Sequence, residues 1–210
     1  MPKRVRKTIL GRKIGMSQMY DENNVLLPVT LIEAGPCTVL QVKTEEQDGY
    51  AALQVGFDDT KKRANKPQEK VFQKAGTAPK KMVRELPAFL DEEVEVGHKM
   101  DVSVLDGVVN VDISGVSKGR GFSGVVRRWN HAIGPKSHGS KSKRILGSIG
   151  MHQDPGRIMK GQKMPGQYGN KNVKVRNLSV VKIDPSENLL IVKGAVPGTA
   201  GTYLYIEESL

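Results

Sequence analysis

Apolar and polar positions alternate over short stretches along most of this chain, and turn residues separate the stretches. Residues 8–60 read as β. Val25–Ala34 is rich in β-branched residues and is bounded by Asn23-Asn24 and Gly35-Pro36. Thr38–Lys43 follows at once, and Tyr50–Phe57 alternates after the turn residues Gln47-Asp48-Gly49. Short strands at this spacing predict a small antiparallel barrel rather than a βαβ fold. From about residue 58 to 99 the pattern changes. Asp58–Lys66 reads as a charged loop. Pro67–Lys74 predicts a short helix, with proline in its first turn and Gly76 just past its end. Met82–Leu86 reads as a strand, and Asp91-Glu92-Glu93 with Glu95 as a solvated loop or edge rather than a metal site. Lys99–Leu105 and Val108–Val116 alternate on either side of Asp106-Gly107, which predicts a hairpin. β character returns in Val173–Ile183 and Leu189–Val192, separated by the turn composition Asp184-Pro185-Ser186-Glu187-Asn188, and in Thr202–Ile206.

Between these strands the pattern lapses, and charge takes its place. Val116–Asn177 holds fourteen Lys and Arg against one acid, Asp154, whereas the whole chain nets +11. Everything outside these 62 residues is therefore close to neutral. The same stretch holds eleven of the 23 glycines and few apolar runs. It cannot bury enough apolar surface to offset the entropy of ordering itself, so the expectation is that it is unordered until a polyanion neutralises it. A dense field of one sign in one segment points to nucleic acid. An anionic membrane would need a basic amphipathic helix, which the glycine and proline density of 136–169 opposes. The organisation that follows is a basic arm at 1–7, a β-domain at 8–116, a basic insertion at 117–172 and closing strands at 173–210. A loop of this length with no core of its own is expected to be functional.

Other classes are constrained by the rest of the composition. No apolar run approaches the roughly 18 residues of a spanning helix. The basic start, Met-Pro-Lys-Arg-Val-Arg-Lys, is not followed by the apolar stretch of a secretory signal. Cys37 is the single cysteine, which leaves no internal disulfide and no thiolate zinc site. A cytosolic location is the simple expectation.

The chemistry of the insertion opens at Ser117. Gly119, Gly121 and Gly124 form a literal G-x-G-x-x-G after a strand, which invites a dinucleotide-binding enzyme as the alternative reading. No acid stands about twenty residues on to hold a ribose, and Lys118 and Arg120 interleave the glycines. The better reading is that glycine lets the backbone approach phosphates, which Lys and the planar fork of Arg then neutralise. Phe122, Val126 and Trp129 would share one face of a short helix over 122–129. On that face Trp129 either anchors the insertion to the β-domain or stacks on a base. His131, His138 and His152 lack convergent metal-ligand spacing and suit sugar or phosphate hydrogen bonds. A Ser148, His152, Asp154 triad can be drawn, but nothing orders these residues into a pocket. The RNA contacts expected are Lys118, Arg120, Arg127, Arg128, Trp129, Lys136, His138, Lys141, Lys143, Arg144, Arg157, Lys160 and Lys163. No catalytic residue, metal or cofactor is expected.

Several stretches in this order resemble the bacterial members of the universal L-three family of large-subunit ribosomal proteins. They are Gly11-Arg12-Lys13-Ile14-Gly15-Met16, the spaced set Leu105, Asp112, Gly115, Ser117, Gly119-Arg120-Gly121, Gly124 and Arg128, then Arg127-Arg128-Trp129-Asn130 and Ser137-His138-Gly139. Gly147-Ser148-Ile149-Gly150, Gln153-Asp154-Pro155-Gly156, Lys163-Met164-Pro165-Gly166-Gln167 and Asn188–Gly198 continue the match over essentially the whole chain. The resemblance implies a mainly β fold, a translation-protein-type antiparallel β-barrel with a long, basic, glycine-rich irregular extension inserted between strands. It implies a structural constituent of the large subunit that binds 23S-type rRNA near its 3′ end, helps nucleate subunit assembly and reaches toward the peptidyl transferase centre. Neighbours of the L-fourteen and L-nineteen families are implied as partners, with no membrane, no small-molecule substrate and no homo-oligomer. The resemblance also marks Gln153 as a candidate for N5-methylation.

Overall fold

A computed structural model describes residues 6–21, 23–60, 64–87 and 94–209. In chain order the elements are β1 (Thr8–Tyr20), β2 (Leu26–Ala34), β3 (Cys37–Lys43), the single-turn α1 (Glu45–Asp48), β4 (Ala52–Asp59), α2 (Lys66–Lys74), β5 (Lys80–Pro87) and β6 (Lys99–Met100). A 3₁₀ turn at Val102–Leu105 precedes β7 (Asn110–Val116), β8 (Phe122–Ser123), α3 (Val125–Trp129) and β9 (Gly166–Gln167). The chain closes with β10 (Asn172–Asp184), β11 (Leu189–Lys193) and β12 (Tyr203–Glu208). It divides into two compact units, one of residues 1–116 with 172–210, the other Ser117–Lys171.

In the first unit six strands close into an antiparallel barrel in the order β1-β12-β7-β10-β11-β2. Alternation decides which face is buried, because successive side chains point to opposite sides of a strand. In β12, Leu204 and Ile206 are fully buried while Tyr203, Tyr205 and Glu207 are not. In β7, Val111 and Ile113 point into the core. β7 and β12 run close together, and a Cβ at Gly115 would lie 2.8 Å from the Leu204 side chain. Only glycine fits there without displacing a core residue.

Two expectations for this unit need correction. The strands of 38–43 and 50–57 are not walls of the barrel. β3 and β4 pair with β5 and β6 in a separate four-stranded sheet, β5-β4-β3-β6. Both edges of β2 are taken by β1 and β11, so β3 finds no vacant edge in the barrel. The two sheets still share one core, where Val39, Val55, Phe57 and Leu86 pack with Leu10, Ile32, Leu204 and Ile206. Asp58 joins the sheets at the surface, accepting hydrogen bonds from the Tyr203 hydroxyl (2.8 Å) and from Lys81 (2.9 Å), with Arg12 at 3.5 Å. The second correction concerns the hairpin at Asp106-Gly107. β6 ends at Met100 and pairs with β3, and the following residues form the 3₁₀ turn. The core takes both Val102 and Leu105, each fully buried. A spacing of three suits a 3₁₀ turn and would place the two on opposite faces of a strand.

The helix over 66–74 follows the sequence. Pro67 lies in its first turn, and Phe72 is buried against Leu40 and Ala75. Cys37 is buried, which pushes its thiol up to about 12 and leaves it protonated and unreactive. The basic residues 1–5 and the acidic Asp91–Glu93 lie outside the described residues. Glu95 is exposed.

Candidate nucleic-acid interface

The insertion Ser117–Lys171 starts and ends in a narrow antiparallel ladder. Ser117 donates its N–H to the Lys171 carbonyl (2.9 Å), and Asn170 donates back to Ser117 (3.2 Å). Arg120 donates to Tyr168 and Tyr168 to the Gly121 carbonyl, both at 2.9 Å. Phe122 then pairs with Gln167 and Ser123 with Gly166. A Cβ at Gly169 would collide with the Lys118 carbonyl, and the residue sits at φ +69°, so this crossing requires glycine. The G-x-G-x-x-G is thus one strand of an antiparallel ladder, and the helix behind it, α3, has five residues. It is not the parallel-strand-to-helix loop that binds a dinucleotide.

The expected helix over 122–129 begins later, at Val125. Gly124 is extended (φ −68°, ψ 166°) and precedes the first turn. Phe122 therefore belongs to β8 and is 81% exposed, while Val125 takes the buried position. At the end of α3, two side chains reach one carbonyl. Arg128 donates to Met164 O at 2.7 Å and the Trp129 indole N–H donates to the same oxygen at 2.9 Å. The Arg128 guanidinium lies 4.9 Å from the Trp129 ring centroid, in cation–π range. These bonds close the insertion on itself and hold Arg128 half-buried. Met164 is the residue that sequence reasoning missed here, because a backbone carbonyl carries no side-chain signal.

Beyond α3 the chain is irregular. Gly134 donates to the Lys143 carbonyl at 3.0 Å, which pinches off a loop carrying Lys136, His138 and Lys141. Arg144 follows it. Gly147–Ile158 forms a second loop around a cavity of about 460 Å³ lined by Ser148, Ile149, Met151, His152 and Arg157. Ser148 donates to the Gly150 carbonyl at 3.2 Å, so its hydroxyl is engaged with backbone. Gln153 is exposed. Among the described residues no group of three or more His, Cys, Asp or Glu gathers as a metal site.

The side chains present a consistent electrostatic picture. Lys118, Arg120, Arg127, Lys136, Lys141, Lys143, Arg144, Arg157, Lys160 and Lys163 are all exposed, as are His138 and, at 39%, Trp129. Among the described residues none of the insertion's Lys or Arg forms an ion pair. Lys171, at the end of the ladder, is a further exposed cation that the expected set left out. Such an arrangement can neutralise external anions at many points.

Known proteins are similar to this chain over nearly its whole length. The chain is 50% identical over 203 residues to the large ribosomal subunit protein uL3 of Thermosipho africanus, which covers 97% of this chain and 98% of that protein. The chain belongs to the uL3 family. The same degree of identity, 49% with 97% and 98% covered, relates it to the uL3 protein of Thermosipho melanesiensis, and 50% with 97% of each covered to that of Thermotoga petrophila. A family model described as ribosomal protein L3 matches residues 88–189. In this uL3 chain that span contains β7, the whole insertion and β10.

Proposed function

We propose that this uL3 chain is a non-enzymatic structural constituent of the large ribosomal subunit and that its insertion binds the subunit's rRNA. The observation that carries the reading is the row of exposed, unpaired cations of Ser117–Lys171. A surface of this kind gains little from its own fold and much from a polyanion, because each neutralised phosphate releases a condensed counterion. The contacts are Lys118, Arg120, Arg127, Lys136, His138, Lys141, Lys143, Arg144, Arg157, Lys160 and Lys163. Arg128 and Trp129 contribute through their remaining exposed faces while holding Met164. The β-domain, a translation-protein-type barrel, is the mount that folds independently of RNA.

The finer picture follows the family. The protein binds near the 3′ end of the large-subunit rRNA, acts early in assembly, and sends the glycine-rich insertion toward the peptidyl transferase centre. Neighbours of the L-fourteen and L-nineteen families flank it. Gln153, exposed beside Asp154-Pro155, is accessible to N5-methylation. The test is charge reversal of Arg127, Arg128 and Arg144 together, with affinity for a large-subunit rRNA transcript measured against salt. A loss of affinity with a shallower salt slope is the expected result. Unchanged affinity overturns the rRNA role of the insertion.

A further inference from the structure

The cationic surface of the insertion is not the only one. On the face of β7 opposite the core, a cleft of about 410 Å³ is lined by Arg6, Asp112, Lys174, Arg176, Asn177 and Ser209. All six belong to the barrel unit. The cleft exists because β10 bulges. Its pairing with β7 skips from Val175 to Leu178, and Asn177 adopts φ +57°. Arg176 and Asn177 together stand opposite the single residue Asp112, one residue more than the ladder holds, and such a bulge re-aims side chains out of a ladder.

The floor of the cleft is Asp112, 4% exposed. Its Oδ1 accepts the Asn177 N–H at 2.9 Å, and its Oδ2 lies 3.5 Å from Lys174 Nζ. Lys174 also pairs with Glu207. Arg6 stands 3.8 Å from Asp112 and 3.7 Å from Glu207, beyond hydrogen-bond length, so its donors are not consumed by either carboxylate. Arg176 is exposed and has no ion pair among the described residues. Three cations therefore surround two carboxylates, a local excess of one positive charge. That balance matches a single phosphodiester monoanion better than a phosphate dianion or a nucleotide polyphosphate. Arg6 and Arg176 offer planar forks for two phosphate oxygens. The Asn177 side-chain amide can meet a ribose 2′-hydroxyl, the group that distinguishes RNA, and the Ser209 hydroxyl, which bonds to Asp112, can still accept from it.

We infer that this cleft is a second RNA-backbone site, separate from the insertion, in which Arg6 and Arg176 grip one phosphate while Asp112 and Glu207 hold Arg6 and Lys174 in place. The inference rests on the rRNA reading above and adds a contact on the barrel that composition alone does not reveal. Arg6 gives the basic arm a role.

The experiment uses the full chain, as wild type, R176E, R6Q/R176Q and the insertion variant R127E/R128E/R144E. Each is titrated with a large-subunit rRNA transcript over a range of salt, after thermal melting shows that it folds. Removing one phosphate contact should flatten the slope of log K against log salt by roughly one and weaken binding roughly fivefold to tenfold at about 0.1 M salt. R176E should lose at least as much as R6Q/R176Q. Arg176 forms no ion pair among the described residues, so R176E breaks none and reports on the site even where the double variant unfolds. If R176E binds like wild type while the insertion variant loses affinity, the cleft is not an RNA site and the rRNA reading stands. If both bind like wild type, the rRNA reading falls and this inference with it. Saturable binding of inorganic phosphate to wild type, lost in R176E without a change in RNA affinity, would assign the cleft to free phosphate and overturn the RNA contact.

Discussion

The two units of this uL3 chain use the same charged residues for opposite ends. In the barrel unit, cations answer to carboxylates on the same surface. Arg12 meets Glu33 at 2.6 Å, Lys43 meets Glu85 at 2.7 Å and Lys80 meets Asp59 at 2.6 Å. Beneath them lies a continuous apolar core. In the insertion, twelve Lys and Arg share one acid, and Val125 is the one apolar residue there that is fully enclosed among the described residues. Surface ion pairs contribute little to stability, so the pairing in the barrel is chiefly neutralisation, and it is the core that folds the unit. The insertion has no such core, and its internal counter-charge is one carboxylate for twelve cations. Its backbone bonds arrange the cations, and under the function proposed above an external polyanion supplies both the missing charge and the missing stability.

The largest test of this contrast is removal. Replacing residues 130–170 by a short Gly-Ser linker should leave the barrel folded and collapse the salt dependence of rRNA binding. For on the order of eight neutralised phosphates the intact slope is roughly −6 to −7, and deletion should flatten it sharply. An unchanged slope would move the affinity to the barrel and the N-terminal arm.

Core truncation should divide the units next. Leu204→Ala empties a fully buried position of the barrel and should cost about 3 kcal/mol in urea unfolding. Ile149→Ala, at a position 42% exposed in the insertion, should stay within about 0.5 kcal/mol. Equal costs would mean that the insertion has a core of its own.

Acid should then act on the barrel alone. Burial by itself would raise the carboxyl of Asp58, but hydrogen bonds from Lys81 and Tyr203 and the charge of Arg12 outweigh it and hold the carboxyl below its ordinary value. At Asp112, burial is likewise outweighed by the Asn177 N–H, Ser209 and Lys174. A carboxyl lowered by folding adds stability that is fully present above its unfolded value, 3.8 for Asp, and lost as pH falls through the lower folded value. Urea midpoints should therefore drop as pH falls below about 4, and D58N should show a flatter profile. A wild-type midpoint that holds steady on acidification would remove these networks from the account of barrel stability.

The smallest effect expected is a spectroscopic one. Trp129 is the only tryptophan, so intrinsic fluorescence reports the insertion while far-ultraviolet dichroism reports mainly the strands. In the free protein the fluorescence transition in urea should precede the dichroic one, and amides of 130–170 should exchange fast. Coincident transitions with slow exchange through 130–170 would erase the contrast between the units.

Much of this was legible in the chain as written. The strands at 25–34, 38–43, 82–86, 173–183 and 189–192 and the helix at 67–74 stand within a few residues of where alternation and punctuation place them. The charged stretch and its glycines mark the candidate interface without any structure. The misreadings have a common cause. At 99–116 the alternating pattern predicts a hairpin, although Val102 and Leu105 are both wanted by a core built from distant strands. At 122–129 the spacing predicts a helical face that runs through Gly124, where the chain is held extended and the preceding residues pair with residues 166–167.

Period, turn chemistry and charge density are properties of neighbours along the chain, and they suffice for strands, turns and an unneutralised polycation. Which strand pairs with which is a contest among distant partners for edges and for room in one core. That contest closed the barrel with β1, β2, β7, β10, β11 and β12, sent β3 and β4 into a second sheet, brought Asp58 from β4 to Arg12 and Tyr203, and set Arg6 beside Arg176 across most of the chain's length. No local pattern carries those meetings, because the free energy that selects them is gained only when the whole core is assembled.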